Sequence, residues 1–176
     1  MLRLTFMLAV LSSPTAYGDA SLSPPISDAA TGRLQCYQPD TARKTCQSLA
    51  SYRIDKAGKI VNSTTVLLSP SAPVAMTTAT EIKIRSGQVC GYVTPEGLAA
   101  ATFAVGDEPA TAKQTAILRE RTSAAQRGVF GREVCTAYIA DGNSIIAKTT
   151  LGGVAQPAWD QKVIWVSPGE GYKVAP

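Results

Sequence analysis

Histidine is missing altogether from this chain of 176 residues. Its absence excludes a Ser-His-Asp or Cys-His nucleophile, a histidine general base and any histidine-ligated metal centre, and with them most secreted hydrolase chemistries. The usual histidine-free substitutes are missing too: no Ser-x-x-Lys and no Gly-x-Ser-x-Gly occurs, nor any Gly-rich phosphate loop. Thr41-x-x-Lys44 and Thr80-x-x-Lys83 keep the spacing with threonine, but both read as turn or strand-surface residues. No Cys-x-x-Cys pair is present, so a zinc site lacks its closely spaced ligands. Aromatic residues are only 6% of the chain, and past the first 20 residues no apolar run approaches the roughly 20 residues of a membrane span.

What is there begins with an export signal. Met1 and Arg3 form a basic start, Leu4 to Leu11 an apolar core, and Ala16-Tyr17-Gly18-Asp19-Ala20 a small-residue cleavage region. Residues 1–20 therefore read as a signal peptide and predict a periplasmic or secreted protein. Losing Arg3 from the 17 basic residues leaves 16 against 13 acidic, a net charge of +3 with the signs interspersed. That balance gives no footprint for nucleic acid. All four cysteines, Cys36, Cys46, Cys90 and Cys135, follow the signal, and an even count in an oxidising compartment predicts two disulfides. The favoured pairing joins Cys36 to Cys46 around a Pro39-Asp40 turn and Cys90 to Cys135 across two strands of one sheet.

Residues 21–31, rich in Ser, Pro and Ala, read as a disordered lead-in, and residues 32–176 as a single β-rich domain. Short β-prone runs cover 34–38, 49–54, 60–68, 81–85, 88–93, 99–105, 133–139, 145–150 and 163–166. Lys56-Ala57-Gly58, Ser86-Gly87, Thr94-Pro95-Glu96-Gly97 and Asp141-Gly142 punctuate them as turns. One stretch differs: Pro109 to Gln126 lacks Gly and internal Pro, follows the acidic pair Asp107-Glu108, and predicts one principal helix near 109–127. Its apolar stripe would be Ala110, Ile117, Leu118, Ala124 and Ala125. The expected fold is thus mostly β (α+β): an antiparallel sheet or sandwich of short hairpins with one helix, stapled by disulfides. A G-R-x-x-C pattern at both Gly32–Cys36 and Gly131–Cys135, with further echoes of Tyr52 at Tyr138, raises the question of two duplicated halves.

Candidate sites are few. On the helical wheel Arg121 falls among Ile117, Ala124 and Ala125, so it must snorkel, pair with Glu133 or Asp160, or face a ligand. Ser69 to Thr78, bounded by prolines, reads as a blunted edge strand or as an exposed recognition loop presenting Val74, Ala75 or Met76, as a protease inhibitor would. Of the carboxylates a glycosidase could pair, Asp107, Glu108, Glu120, Asp141, Asp160 and Glu170 have structural or loop positions, and Glu133 alone does not. Asn62-Ser63-Thr64 matches a glycosylation sequon.

Together the signal peptide, Gly-Arg-Leu-Gln-Cys36, Thr-Cys46-Gln-Ser-Leu-Ala-Ser-Tyr52, Val89-Cys90-Gly91-Tyr92 and Val163-Ile-Trp-Val-Ser-Pro168 resemble small uncharacterised exported proteins of Gram-negative bacteria. The resemblance implies location and no activity. The leading reading is an exported, non-enzymatic binding or cell-envelope interaction module, without cofactor or metal, whose partner is a protein or envelope component. The alternatives are an inhibitor acting through 69–78 and a carboxylate-dependent periplasmic hydrolase.

Overall fold

The structure, a computed structural model, describes residues 22–142 and 144–176; the expected signal peptide lies outside them. It is 48% strand and 20% helix. The strands in chain order are β1 (Leu34–Tyr37), β2 (Thr45–Cys46), β3 (Ser48–Ile54), β4 (Ile60–Ser69), β5 (Val74–Arg85), β6 (Gln88–Tyr92), β7 (Thr102–Val105), β8 (Glu108–Pro109), β9 (Glu133–Asp141), β10 (Ser144–Leu151), β11 (Val154–Ala155), β12 (Gln161–Val166) and β13 (Lys173–Val174). Helix α1 (Pro95–Ala99) lies between β6 and β7, and α2 (Ala112–Gln126) between β8 and β9.

The expected strands form, and the turns between them follow the local chemistry. Ser86 and Gly87 both take positive φ and join Arg85 to Gln88, the conformation a two-residue hairpin demands. Asp55 closes the β3–β4 turn by accepting from the Ala57 and Lys59 amides, and Ser144 pairs with Asp141 after the Asp141-Gly142 turn. Thr94-Pro95-Glu96-Gly97 departs from expectation. It starts α1, because the Thr94 hydroxyl accepts from the Gly97 amide and Pro95 occupies the first turn.

The sheet is a closed antiparallel barrel rather than a sandwich. Eight strands run in the order β4-β3-β1-β12-β10-β9-β6-β5, and β5 pairs back onto β4 from Ile60↔Ile82 to Ser69↔Val74. Ten-residue β4 and twelve-residue β5 make this closure possible, since β5 is long enough to pair with β4 on one edge and with both β6 and β7 on the other. Pairing every strand removes the exposed edges that an open sheet of this length would carry.

Register assigns the inside of the barrel. Gln35 stands opposite Trp165 and Ala50, Tyr52 opposite Asn62, Thr80 opposite Asn62, Ile82 opposite Gly91, Val89 opposite Thr136, and Tyr138 opposite Ala147. Because strand side chains alternate, these residues share one surface, and Cys36, Cys90 and Cys135 point the other way. Both disulfides therefore lie on the outer wall, with the expected pairing: Cys36–Cys46 and Cys90–Cys135. The second joins directly opposed residues of β6 and β9. The first is covered by Val166, Leu49 and Tyr172, and it ties β1 to the short β2–β13 ladder.

Residues 22–31 overturn the disordered lead-in. Ser27–Thr31 form a 3-10 helix, and Leu22, Ile26 and Ala29 pack with Tyr52, Ile82 and Val89 at one end of the barrel. Ile26 is fully buried. A second core of Met76, Leu98, Ala101 and Phe103 joins β5 and β7 to the two helices.

Helix α2 begins later than the sequence suggests. Glu108 and Pro109 pair with β7 as β8, and Thr111 and Gln114 form a capping box, so Thr111 rather than Asp107 or Glu108 starts the helix. The expected stripe packs only in part: Ala110 and Leu118 reach the second core, while Ala124 and Ala125 are exposed. Ile117 is 42% exposed, whereas Thr122 is buried and Leu118 joins the second core. With so few large apolar residues, the position of the cap and of β8 decides the facing, not the stripe.

The duplication is not seen in the strand order. The Gly32–Cys36 pattern lies on β1 and Tyr52 on β3, but their counterparts Cys135 and Tyr138 both lie on β9. Two strands of one half would have to correspond to a single strand of the other.

Candidate binding site

Inside the barrel, β1, β3 and β9 bring three tyrosines onto one amide. The hydroxyls of Tyr37 and Tyr52 donate to Gln35 Oε1 at 2.9 and 2.8 Å. Tyr138 Oη lies 3.2 Å from the same oxygen, 2.7 Å from Tyr37 Oη and 3.3 Å from Tyr52 Oη. Gln35 is fully buried and its Nε2 has no hydrogen-bond partner. Burial is the main force on these phenols. It holds Tyr37 and Tyr52 well above the ordinary tyrosine range and raises Tyr138; the neighbouring phenols raise Tyr37 further, and Tyr138 does the same for Tyr52.

The cluster is therefore neutral at physiological pH, three phenols hydrogen-bonded to one buried amide. A raised phenol pKa also fixes a pH dependence. Folding favours the protonated form, so this stability is complete below the unfolded tyrosine pKa near 10 and is lost as pH rises through the higher folded values, by up to about 1.4 kcal/mol per unit of difference for each phenol. We expect three of the six tyrosines of the chain to ionise only together with unfolding in an alkaline titration followed by tyrosinate absorbance. Independent ionisation of all six near pH 10 would contradict the buried cluster.

Beside this cluster the barrel holds a recess of about 190 Å³. Tyr37, Tyr52 and Tyr138 line it together with Asn62, Thr80 and Thr136, and Ile82, Val89 and Val134 supply apolar wall. Asn62 is committed to the barrel, donating to the Ser51 carbonyl and accepting from Thr64 Oγ1. The sequon asparagine thus points inward, away from any glycan.

A larger cleft of about 400 Å³ adjoins the recess, and Thr80, Gly91, Tyr92 and Val93 line both. It follows from how β5 is shared. β6 pairs with β5 only as far as Ile82↔Gly91, and β7 pairs only from Val74 to Thr77, so Thr78–Glu81 lack a strand partner on that edge. The gap is flanked by Leu98 of α1 and Gln126 of α2. Gly91 sits at the junction: a Cβ there would lie 3.2 Å from Ile82 Cγ2 and 3.4 Å from the Glu81 carbonyl. Charge is confined to the outer cleft, where Glu81 pairs with Lys59 at 2.6 Å and Arg85 with Glu133 at 2.8 Å.

The residues singled out from sequence do not gather here. Arg121 is exposed, and its proposed partners are taken, Glu133 by Arg85 and Asp160 by Lys148. The neighbouring Arg119 turns inward instead, its Nη2 donating to the Ala101 carbonyl and its Nε buried. The 69–78 recognition loop shrinks to the Pro70–Pro73 turn. Val74, Ala75 and Met76 belong to β5, are paired with both β4 and β7, and Met76 is buried, because an apolar run beside a hairpin partner gains more from pairing than from exposure. Thr80 and Lys83 project from opposite faces of β5 and form no Thr-Lys pair. Among the described residues, the one group of cysteine and acidic side chains close enough to share an ion is Cys90, Glu133 and Cys135, and its two sulfurs are bonded to each other. The four residues of the hydrogen-bonded cluster were not anticipated. The available signal was that Gln35 and Tyr37 alternate with Cys36 on one strand, which places a polar, aromatic face opposite the disulfide.

No helix of the described residues is long and apolar enough to cross a membrane, and two disulfides fit folding in an oxidising environment. No family model, curated protein or solved structure matches this chain.

Proposed function

We propose that the protein is an exported, periplasmic or secreted, non-enzymatic binding module that holds a small molecule in the barrel recess, reached through the cleft beside β5. The observation that carries this reading is a recess lined by three hydrogen-bonded phenols that shares four wall residues with an outer cleft. Concave, largely preformed sites with a few convergent polar groups are where small ligands bind, and eight-stranded barrels are wide enough to hold one. The inhibitor reading loses its loop to β5. The hydrolase reading has less support, since Glu133 and Asp160 are ion-paired and Glu170 caps the turn at Ser167.

The test is thermal unfolding of the full oxidised chain with the low-molecular-weight fraction of a periplasmic extract. A ligand present at a hundred times its Kd should add about 2.7 kcal/mol of stability. Gly91→Val, which projects methyl groups into the junction, should abolish that gain while the far-UV spectrum is retained. Stabilisation that survives Gly91→Val, or turnover abolished by replacing one carboxylate, would overturn the proposal.

A further inference from the structure

The recess also specifies what it can hold, an inference that rests on the binding reading above. No charged side chain lines it; Glu81, Lys83 and Arg85 face the outer cleft instead. A full charge brought to the tyrosine cluster would lose hydration and meet no counter-ion. The hydrogen-bond inventory is equally selective. Three phenols carry three protons. Two are given to Gln35 Oε1 by Tyr37 and Tyr52, and the third is best placed on Tyr37 Oη, since Tyr138 lies 2.7 Å from it and 3.2 Å from Gln35. All three protons are thus spent within the cluster, and Tyr138, which lines the recess, accepts from none of them and keeps its Oη lone pairs free. Asn62 is half committed, with one Nδ2 proton given to the Ser51 carbonyl and one Oδ1 lone pair accepting from Thr64. The cluster's unpaired donor, Gln35 Nε2, is fully buried and does not line the recess, so what the phenols leave open there is acceptor oxygen, beside the Thr80 and Thr136 hydroxyls and an aromatic and aliphatic wall.

We propose that the recess selects an uncharged ligand with a flat or apolar body and a hydroxyl that donates to Tyr138 Oη. The volume of about 190 Å³ suits a single ring, since a cavity of roughly 150 Å³ admits benzene.

The experiment titrates the full oxidised chain with benzyl alcohol, toluene, benzoate and benzylammonium, reading the methyl resonances of Thr80 and Thr136 by NMR. Benzyl alcohol should shift both in a saturable way. Toluene should bind about fivefold more weakly for want of the donated hydrogen bond, and the two ions more than about tenfold more weakly. Tyr138→Phe should reduce benzyl alcohol to the affinity of toluene and leave toluene unchanged. If that variant does not fold, anisole, an isomer of benzyl alcohol that cannot donate a hydrogen bond, serves as the second probe on the unchanged chain and should bind no more tightly than toluene. Equal binding of an ion, or equal binding of toluene and benzyl alcohol at these methyls, would overturn the ligand class while leaving the recess a binding site. Failure of all four probes to move either methyl would overturn the binding reading itself, and the ligand class with it.

Discussion

Replacing Cys90 and Cys135 together by alanine is expected to lower the unfolding free energy by about 4 kcal/mol, the chain-entropy cost of releasing a loop of this length. The two residues are 45 apart in sequence, and the segment between them carries α1, β7, β8 and α2. Most barrel pairings are local hairpins, such as β3–β4, β4–β5, β5–β6 and β9–β10. The ring closes only through two long-range seams, β6–β9 and β1–β12. The Cys90–Cys135 bond staples the first of these at its directly opposed residues, so its loss frees in the unfolded chain what the barrel must bring together. Equilibrium urea unfolding with Cys36–Cys46 intact measures the effect. The shorter loop, of separation 10, should cost about 3 kcal/mol on the same account. A loss under about 1 kcal/mol for the longer bridge would show that it contributes little beyond the ladder around it.

Ile26→Ala should cost about 3 kcal/mol, within the range for truncating a fully buried aliphatic side chain. Its side chain is 0% exposed and belongs to the cluster that seals one end of the barrel with Tyr52, Ile82 and Val89. Trp165 packs against the same cluster, so its fluorescence reports the change. A disordered segment would show no stability change at all, and that outcome would return residues 22–31 to a mere lead-in. The comparison is sharp because the composition of the segment argues for disorder and its burial argues for a plug.

The local pattern alone located the strands and most of the turns, and the reason is that both rest on near-neighbour chemistry. Alternating β-branched residues need a pleated surface, and Ser86-Gly87 or Asp141-Gly142 supplies the positive φ that reverses the chain. The four cysteines, even in number, pointed to two disulfides and favoured the pairing that forms, but which cysteines join is set by the strands that meet. Three things were decided only in the tertiary structure. Barrel closure depends on β5 pairing with both β4 and β6 and on the distant seams β6–β9 and β1–β12, which no single run displays. The inward face of the strands is not simply the apolar one: Gln35, Tyr37, Asn62 and Tyr138 point in, and the fully buried Cys36 points out beneath its own cover. Periodicity therefore finds two faces but cannot say which will become the interior. Finally, Leu22, Ile26 and Ala29 acquire a partner only when a barrel end exists for them to fill, and Thr122 rather than Ile117 is buried because the capping box and β8 orient α2 before its thin apolar stripe can. Those features belong to contacts between distant segments, which a reading of neighbouring residues does not contain.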